Sequence, residues 1–288
     1  MRNLNLLEAH LVQRQDFKPK EWVERLEDRK REEIEFHNFE RERHDAEVIA
    51  TQKAKDVHAN KKYYSISESS QVYVSSWVNR EARGRVFLDY ACGNGTRAMQ
   101  AAQAGSTLSV GLDISDISVA NARETAAASG LGDRCVFIQG DCEATELPDA
   151  SVDTILCSGM LHHLDLSRAY AELFRILRPA GKVLGVEAFG HNPLIQLYRN
   201  LTPHLRTDWE KKHILKQKNI DAAIQYGFVH GEVRYWHLFS LGAVPLRKTA
   251  LFVPARNLLD SVDRLVLSIP GLRLMAWQVT FELVKPAR

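Results

Sequence analysis

The segment V-F-L-D-Y-A-C-G-N-G-T, from Val86 to Thr96, joins an apolar run to an acidic residue and then to two glycines that open a helical stretch. Gly93 and Gly95 carry no Cβ, so the backbone can turn sharply there and let a ligand approach it closely. The first amides of the following helix have no partner within that helix, which suits them to a polar ligand. A glycine pair is also typical of an ordinary strand-to-helix turn, so the flanking sequence must decide between the two interpretations.

Two acids near the glycine loop favour a nucleoside site. Asp113 ends the run L-S-V-G-L-D, 113 − 95 = 18 positions after the second glycine. An acid at that separation and at a strand end can accept both hydroxyls of a ribose. Asp89 stands directly before the loop, where it would repel a pyrophosphate but accept a hydrogen bond from an ammonium group. Ala98 at the third glycine position does not exclude NAD by spacing, but Asp89 favours a nucleoside with a methionine-like tail.

The sequence around this loop predicts an α/β architecture, because short β-branched runs alternate with helical stretches as in a parallel sheet with crossover helices. We predict strands at 86–90, 108–113, 135–139, 152–157 and 182–187, with helices near 95–104, 116–129 and 166–177. After Phe189 we predict a lid insertion at about 190–231, a strand at 232–238, apolar helices at about 240–270 and a strand at 275–284. Within the insertion, Thr207 and Glu210 fit a reciprocal capping box.

The chain before the sheet is predicted to be a helical arm over residues 1–80, and the main domain is predicted over 81–288. Up to Lys62 the arm is rich in charged residues and contains no glycine. Its apolar stripe of Trp22, Leu26, Ile34 and Phe39 needs a surface to pack on. That surface is either the chain's own domain or a second subunit, and we expect a homo-oligomer formed through the arm.

The ordered motifs resemble those of the class I S-adenosylmethionine-dependent methyltransferases. The matching segments are D-Y-A-C-G-N-G at 89–95, G-L-D-I-S at 111–115, G-D-C-E at 140–143, L-P-D-A-S-V-D-T-I-L-C at 147–157 with the loop S-G-M-L-H-H-L at 158–164, and L-R-P-A-G-K-V-L at 177–184. The resemblance implies a Rossmann-like fold with a seven-stranded sheet, to which the helical arm and the helical lid are added. It also implies S-adenosylmethionine as cofactor and S-adenosylhomocysteine as product.

The resemblance places the glycine loop on the methionine part of the cofactor, Asp113 on the ribose and Asp141 on the adenine amino group. It places Ile114 beside the adenine and the backbone of Cys142 on a ring nitrogen. The residues expected to bind the cofactor are Tyr64, Asp89, Gly93, Asn94, Gly95, Asp113, Ile114, Asp141, Cys142 and Ser158. No metal is expected.

The methyl acceptor is less determined by the sequence. His162 and His163 follow the fourth predicted strand, where a histidine with an unperturbed pKa of about 6.5 can act as a base or can simply serve the structure. The insertion resembles that of bacterial small-molecule methyltransferases, some of which methylate prenyl or terpenoid carbons. We therefore expect a hydrophobic acceptor, most specifically a terpenoid carbon in secondary metabolism. The alternative is O- or N-methylation of a phenol, quinone or amine, with one of these histidines as base.

Aromatic residues of the insertion and its surroundings supply rings that can shield a carbocation or can pack as ordinary core. We expect Tyr198 to be a catalytic residue and Tyr198, Trp209 and Tyr226 to contact the substrate. His204, Arg206 and His213 either bind a diphosphate or lie in solvent. The helices at about 240–270 either wall the pocket or lie on a membrane surface.

Composition narrows the classes of partner and compartment. The formal net charge of +2 in 288 residues provides no field that would attract nucleic acid. The four cysteines are widely spaced, which is typical of free thiols in a reducing cytoplasm, and we see no secretion signal and no transmembrane segment. We therefore expect a soluble, cytoplasmic enzyme. The alternatives from other classes are a nicotinamide-dependent oxidoreductase and a non-catalytic oligomeric scaffold that retains a nucleoside pocket.

Overall fold

The computed structural model describes residues 2–15, 19–42, 51 and 59–287. The remaining residues of the arm lie outside the described part, so the predicted helicity up to Lys62 is observed only on either side of them. Of the helices in the described ranges, none combines the length and the apolarity needed to cross a membrane.

A seven-stranded mixed sheet forms the centre of the fold, in the order β3-β2-β1-β4-β5-β7-β6. The strands are β1 (Val86–Tyr90), β2 (Leu108–Asp113), β3 (Cys135–Gln139), β4 (Val152–Ser158), β5 (Leu177–Ala188), β6 (Val229–Trp236) and β7 (Gln278–Val284). The first five strands run parallel, and β7 pairs antiparallel with both β5 and β6. The predicted α/β fold with a seven-stranded Rossmann-like sheet is confirmed.

Helices cover both faces of the sheet, which explains why the central strands are apolar along their whole length. All five residues of β1 are buried, and the short 108–113 and 135–139 runs coincide with β2 and β3 as predicted. The α-helices are α1 (Arg2–Gln15), α2 (Pro19–Glu24), α3 (Asp28–Arg41), α4 (Glu68–Glu81), α5 (Thr96–Gln103), α6 (Asp116–Ala128), α7 (Leu166–Ile176), α8 (Pro193–Leu201), α9 (Asp208–Lys212), α10 (Gln217–Asp221) and α11 (Phe252–Val266). Short 3-10 helices occur at Ala59–Ile66, Leu161–His163, Pro203–Leu205, Ala222–Tyr226, Phe239–Leu246 and Leu272–Met275.

The predicted boundaries are wrong mainly toward the C-terminus. β5 begins at Leu177 because this residue pairs with Val152 before the register shifts. β6 ends at Trp236, since His237 adopts a φ of 63° and leaves the strand. β7 begins only at Gln278. The helices predicted at about 240–270 are present, as the 3-10 helix Phe239–Leu246 followed by α11.

The capping box predicted in the insertion is half formed. The Thr207 hydroxyl accepts a hydrogen bond from the Glu210 amide at 3.2 Å, as expected for an N-cap. The Glu210 carboxylate does not return to the cap, because it lies 3.2 Å from a guanidinium nitrogen of Arg199 and 3.4 Å from Nε of Arg206. Ion pairing inside the insertion therefore replaces the second capping bond.

The N-terminal arm packs on the chain's own domain. Leu7 and Leu11 of α1 are buried in the main core cluster, and Ile34 of α3 is 7% exposed. Helix α4, which the sequence places inside the arm, packs Trp77 and Val78 against the sheet. The apolar residues of the arm therefore find a surface to pack on within their own chain. The homo-oligomer stays a prediction.

Replacing Gly95 with alanine should destabilise the fold strongly. Gly95 has a φ of 76°, and a Cβ built there would lie 2.5 Å from a ring carbon of Phe137. We expect a loss of about 1–2 kcal/mol for the left-handed backbone plus about 1–3 kcal/mol for overpacking. Urea unfolding of Gly95→Ala measures the sum.

Gly84→Ala is the matched control, because Gly84 has a similar φ of 67° with nothing within 4 Å of the added Cβ. It should show only the backbone cost. Equal losses in the two variants would contradict the close packing of the loop on β3.

Candidate functional site

The loop between β1 and α5 presents backbone rather than side chains to the carboxyl edge of the sheet. Gly93 and Gly95 adopt φ values of 52° and 76°, so the predicted sharp turn is present. Asp89 precedes this loop and is 3% exposed, and its carboxylate accepts a hydrogen bond from the Ala98 amide at 3.1 Å. Burial raises the pKa of Asp89 to about 7. The carboxylate is therefore ready to ionise when a cation arrives.

Asp113 connects the loop to the end of β2. Its carboxylate accepts hydrogen bonds from the amides of Gly93 at 2.8 Å and Ser115 at 2.9 Å. Each oxygen keeps a further acceptor position, which suits the pair of hydroxyls on a ribose. The loop, the β2 terminus and the following helix are thus held by one buried acid.

A third acid lies beyond the end of β3. Asp141 is 7% exposed, and one of its oxygens accepts the Glu143 amide at 2.8 Å. Asp113 and Asp141 line one cleft, together with three other residues predicted to bind the cofactor. Those three are Ile114, Cys142 and Ser158. We call this space the cofactor cleft.

Helix α3 fills much of the cofactor cleft with basic side chains. The Lys30 ammonium lies 2.6 Å from Asp141 and 2.8 Å from Glu143, and an Arg41 nitrogen lies 3.8 Å from Asp113. Burial works to lower the pKa of Lys30, but its hydrogen bonds to Asp141 and Glu143 outweigh burial and raise that pKa. The cavity that remains is about 100 Å³, whereas ligand pockets usually measure about 300–1,000 Å³.

The residues of the cleft fit S-adenosylmethionine once these cations withdraw. The loop offers close backbone approach, and Asp113 and Asp141 line the cleft with acceptors that suit a ribose and an adenine amino group. Asp89 is buried and is not among the residues that line the cleft, so its contact with an ammonium stays a prediction. Sequence reasoning missed Lys30 and Arg41. The available signal was the run of three basic residues at 29–31, which we interpreted only as part of a charged helical arm.

The two predicted histidines face different cavities although their ring centroids are 4.2 Å apart. His163 lines the cofactor cleft and lies 3.0 Å from Glu33 of α3. Burial works to lower the pKa of His163, but the contact with Glu33 outweighs burial and raises it. The contact with Glu33 therefore favours the protonated form of His163, in which the ring cannot accept a further proton.

His162 lies beside a carboxylate that sequence reasoning missed. Its Nδ1 is 2.7 Å from Glu187, whose other oxygen accepts the amides of Met160 and Leu161. A carboxylate only accepts, so Nδ1 carries the proton of the neutral ring and Nε2 is left with its lone pair. Glu187 is fully buried, and its acidic side chain in the apolar run V-L-G-V-E-A was the signal available in the sequence.

His162 also lines a second cavity of about 400 Å³, which we call the aromatic pocket. Tyr64 and Tyr198 both line it, so the structure places Tyr64 here rather than in the cofactor cleft. The Tyr198 ring packs edge-on against Tyr63, and the Tyr198 hydroxyl donates to Asn60 at 3.0 Å. The lining side chains are mainly apolar or aromatic and come from the 3-10 helices at Ala59–Ile66 and Leu161–His163, the insertion, β5 and the C-terminal segment. They are Asn60, Tyr63, Tyr64, His162, Ala188, Asn192, Leu194, Ile195, Tyr198, Arg199, Arg206, Glu210, Ile214, Leu238, Leu241 and Trp277.

Two of the predicted substrate residues do not reach the aromatic pocket. Trp209 stacks on His213 with centroids 3.8 Å apart, and the Arg29 guanidinium covers it at 4.4 Å. Tyr226 packs beside Tyr170 against the main core. In both cases the ring packs on neighbours outside the pocket. Of the three residues predicted to contact the substrate, Tyr198 lines the aromatic pocket.

The comparisons with known proteins agree with this geometry. Residues 87–181 match a family model described as a methyltransferase domain. A 27-O-demethylrifamycin SV methyltransferase from Amycolatopsis mediterranei is 35% identical over 35% of this chain and 37% of its own length. A ubiquinone/menaquinone biosynthesis C-methyltransferase from Methylobacterium nodulans is 40% identical over 39% of this chain and 46% of its own length. The matched region thus spans less than half of these curated relatives.

Solved structures show the same fold over more of the chain. The geranyl diphosphate C-methyltransferase from Streptomyces coelicolor superposes with a TM-score of 0.61 and 12% identity, covering 90% of this chain and 98% of that one. A phosphoethanolamine N-methyltransferase from Haemonchus contortus gives a TM-score of 0.57 and 19% identity, covering 83% and 59%. At these identities the likeness concerns the fold.

Ionisation of Asp89 should make the binding of S-adenosylhomocysteine depend on pH. The pKa of about 7 belongs to the free carboxyl, and an ammonium favours its ionised form. The dissociation constant should therefore rise about tenfold for each pH unit below 7. Calorimetric titrations between pH 5.5 and 7 should show this slope, and Asp89→Asn should remove it.

Methylthioadenosine is the control ligand, because it lacks the ammonium group. Its affinity should stay constant over the same pH range. An equal slope for both ligands would show that Asp89 does not face the ammonium.

Lys30→Ala should strengthen the binding of S-adenosylhomocysteine by roughly tenfold, equivalent to about 1.4 kcal/mol. In the structure the Lys30 ammonium forms an ion pair with the Asp141 carboxylate. Removing the ammonium should free that carboxylate to accept a hydrogen bond from the ligand, and it should weaken the attachment of α3. Calorimetry on the full chain measures the change. The control is Lys20→Ala, at an exposed position of α2, which should leave the affinity unaltered. Weaker binding in Lys30→Ala would refute competition between Lys30 and the nucleoside.

Proposed function

We propose that this chain, which carries a class I S-adenosylmethionine-dependent methyltransferase domain, transfers a methyl group to a hydrophobic small molecule, and that the acceptor atom is a prenyl or terpenoid carbon of secondary metabolism. The observation that carries the proposal is the aromatic pocket, which adjoins the cofactor cleft across the His162 and His163 pair. A pocket of about 400 Å³ with this lining suits a compact apolar molecule.

When bound, the cofactor would supply an electrophilic methyl group: the acceptor double bond would form a bond to the methyl carbon as the carbon–sulfur bond breaks, leaving S-adenosylhomocysteine and a positive charge on the neighbouring acceptor carbon. Tyr63, Tyr198 and Trp277 present rings to that space. Each ring face can stabilise a nearby cation by about 0.5–2 kcal/mol. The acceptor's apolar body excludes water from the pocket, which protects the cation until it loses a proton or is captured by a second double bond.

His162 is placed to receive that proton. Its Nδ1 is fixed by Glu187 at 2.7 Å, so the lone pair of Nε2 is the basic position of the ring. We propose His162 as the proton acceptor after methyl transfer and Glu187 as the residue that positions it. His163 is proposed only to line the cleft, because the nearby Glu33 favours its protonated form.

Related enzymes make a carbon acceptor reasonable. The insertion resembles that of the terpenoid C-methyltransferase of teleocidin biosynthesis, which methylates a geranyl-type chain and triggers its cyclisation. A sterol 24-C-methyltransferase from Yarrowia lipolytica is 33% identical over 36% of this chain and 27% of its own length. We therefore include coupled cyclisation in the proposal, together with action in the cytoplasm.

The second candidate is O- or N-methylation of a phenol, quinone or amine, and the His162–Glu187 pair favours it. The same Nε2 could remove a proton from the acceptor before transfer. The two candidates differ in when His162 acts, which an experiment can separate.

The acceptor class is tested by incubating the full chain with labelled donor and separate prenylated, phenolic, amine and lipid acceptors, followed by mass spectrometry. The proposal predicts a product methylated at carbon from a prenylated acceptor. Tyr198→Leu should slow that reaction by up to about 30-fold through loss of a cation contact, while Tyr226→Leu, outside the pocket, should change it little. Methylation of phenols or amines alone would contradict the carbon acceptor.

His162→Ala should alter the products without abolishing methyl transfer. If the proton leaves after transfer, formation of S-adenosylhomocysteine should fall by less than about tenfold, while the ratio of deprotonated to cyclised or hydrated products changes. Glu187→Gln should shift the ratio in the same direction, and His204→Ala at an exposed position is the control. A fall of about 10²–10⁴-fold would instead support a base that acts before transfer.

A further inference from the structure

Large apolar side chains are exposed along the C-terminal helical segment, residues 247–273. Leu258 and Leu265 of α11 are 67% and 71% exposed, and Leu251, which precedes the helix, is 65% exposed. These three leucines repeat every seven residues, so they share one side of the helix. The exposed set is Leu251, Leu258, Val262, Leu265, Ile269 and Leu272. We call it the leucine surface.

The leucine surface is separate from the side of α11 that packs on the domain. Phe252, Ala255 and Leu259 pack into a cluster with Leu241 and Trp277. Their spacing places them on an adjoining side of the helix, where the contact with the core is complete. The exposed leucines are therefore additional to the residues that the fold needs. Exposed apolar side chains that share one side of a helix are a candidate interaction surface.

The charges around the leucine surface have a single sign. Arg247, Lys248, Arg264 and Arg273 are exposed, and none forms an ion pair with a carboxylate of the described residues. Arg256 differs, because Glu68 neutralises it. The surface is thus basic as well as apolar.

The acids of this segment are turned inward. Asp263 accepts the amides of Leu238, Phe239 and Ser240 and is 3% exposed. Asp260 has a side-chain exposure of 13% and lies 3.6 Å from His237. Since residues 239–277 contain no other acid, the face presented to a partner carries no carboxylate of its own segment.

We propose that the leucine surface docks on an anionic lipid membrane, with the leucines in the interfacial layer and the basic side chains at the head groups. An apolar row flanked by lysine and arginine is what binds a membrane interface, and each basic residue near an anionic surface adds favourable energy. A second copy of the chain fits less well, because a two-fold contact would place basic side chains against the same basic side chains.

The location of the surface connects it with the proposed function, on which this step rests. Leu238 and Leu241, whose segment α11 covers, line the aromatic pocket. Leu194 of α8 also lines that pocket and is 74% exposed, so the rim itself is apolar. Docking at this side would bring the pocket near the lipid, from which a hydrophobic acceptor can enter.

The test is sedimentation of the full chain with vesicles of phosphatidylcholine alone or of phosphatidylcholine with phosphatidylglycerol, without donor or acceptor. We expect binding to the anionic vesicles, weakened by added salt. Lys248→Glu combined with Arg264→Glu should weaken binding by at least about fivefold for each basic residue lost. Leu258→Ser combined with Leu265→Ser should weaken it by at least about tenfold through lost apolar contact.

Matched controls are Val72→Ser, an apolar residue 59% exposed on α4, and Arg83→Glu, an exposed residue before β1. Both should bind as the parent chain does, and circular dichroism should show all variants folded. The proposal is overturned by absence of vesicle binding, by equal binding to neutral and anionic vesicles, or by a leucine-dependent dimer in light scattering without vesicle binding. Because no methyl transfer is measured, these outcomes are independent of the acceptor proposed above.

Discussion

Three buried carboxylates at the carboxyl edge of the sheet impose the main physical constraint on this structure. Asp89, Asp113 and Asp141 end or follow neighbouring strands and are each less than a tenth exposed. Buried acids must be neutralised, hydrogen-bonded or paired with a cation. Asp89 meets the requirement through its raised pKa, Asp113 through two amides, and Asp141 through Lys30. We propose that these three positions receive the ammonium, the two ribose hydroxyls and the amino group of a sulfonium nucleoside.

This constraint explains why the N-terminal arm lies where it does. Helix α3 carries charges of both signs and buries Lys30 and Glu33, a costly arrangement unless each charge finds a partner. Asp141 and His163 are those partners. The arm is thus held by groups of the cofactor cleft, and a ligand that bound Asp141 would compete with Lys30 of α3.

The sequence predicted the sheet and the glycine loop well, because both depend on local pattern. The limits of β1, β2 and β3 follow from short buried apolar runs, and the turn at Gly93 and Gly95 requires residues without a Cβ. Contacts distant in sequence could not be predicted in the same way. Glu187 of β5 contacts His162, which follows β4, and Lys30 forms an ion pair with Asp141, 111 residues away in the sequence. Neither pairing has a periodic signal, and the packing that leaves Tyr226 outside the aromatic pocket has none either.

The division of the active region into two cavities gives the histidine pair a physical role, whichever acceptor is used. His163 belongs to the cofactor side and His162 to the acceptor side, each with its own carboxylate. The central claim is that the glycine loop and the neighbouring acids bind the nucleoside. Calorimetric titration of the full, folded chain with S-adenosylhomocysteine tests it most directly. Saturable one-to-one binding that weakens at least about tenfold in Asp113→Ala is the predicted result, and absence of binding, or unchanged affinity in that variant, would contradict it.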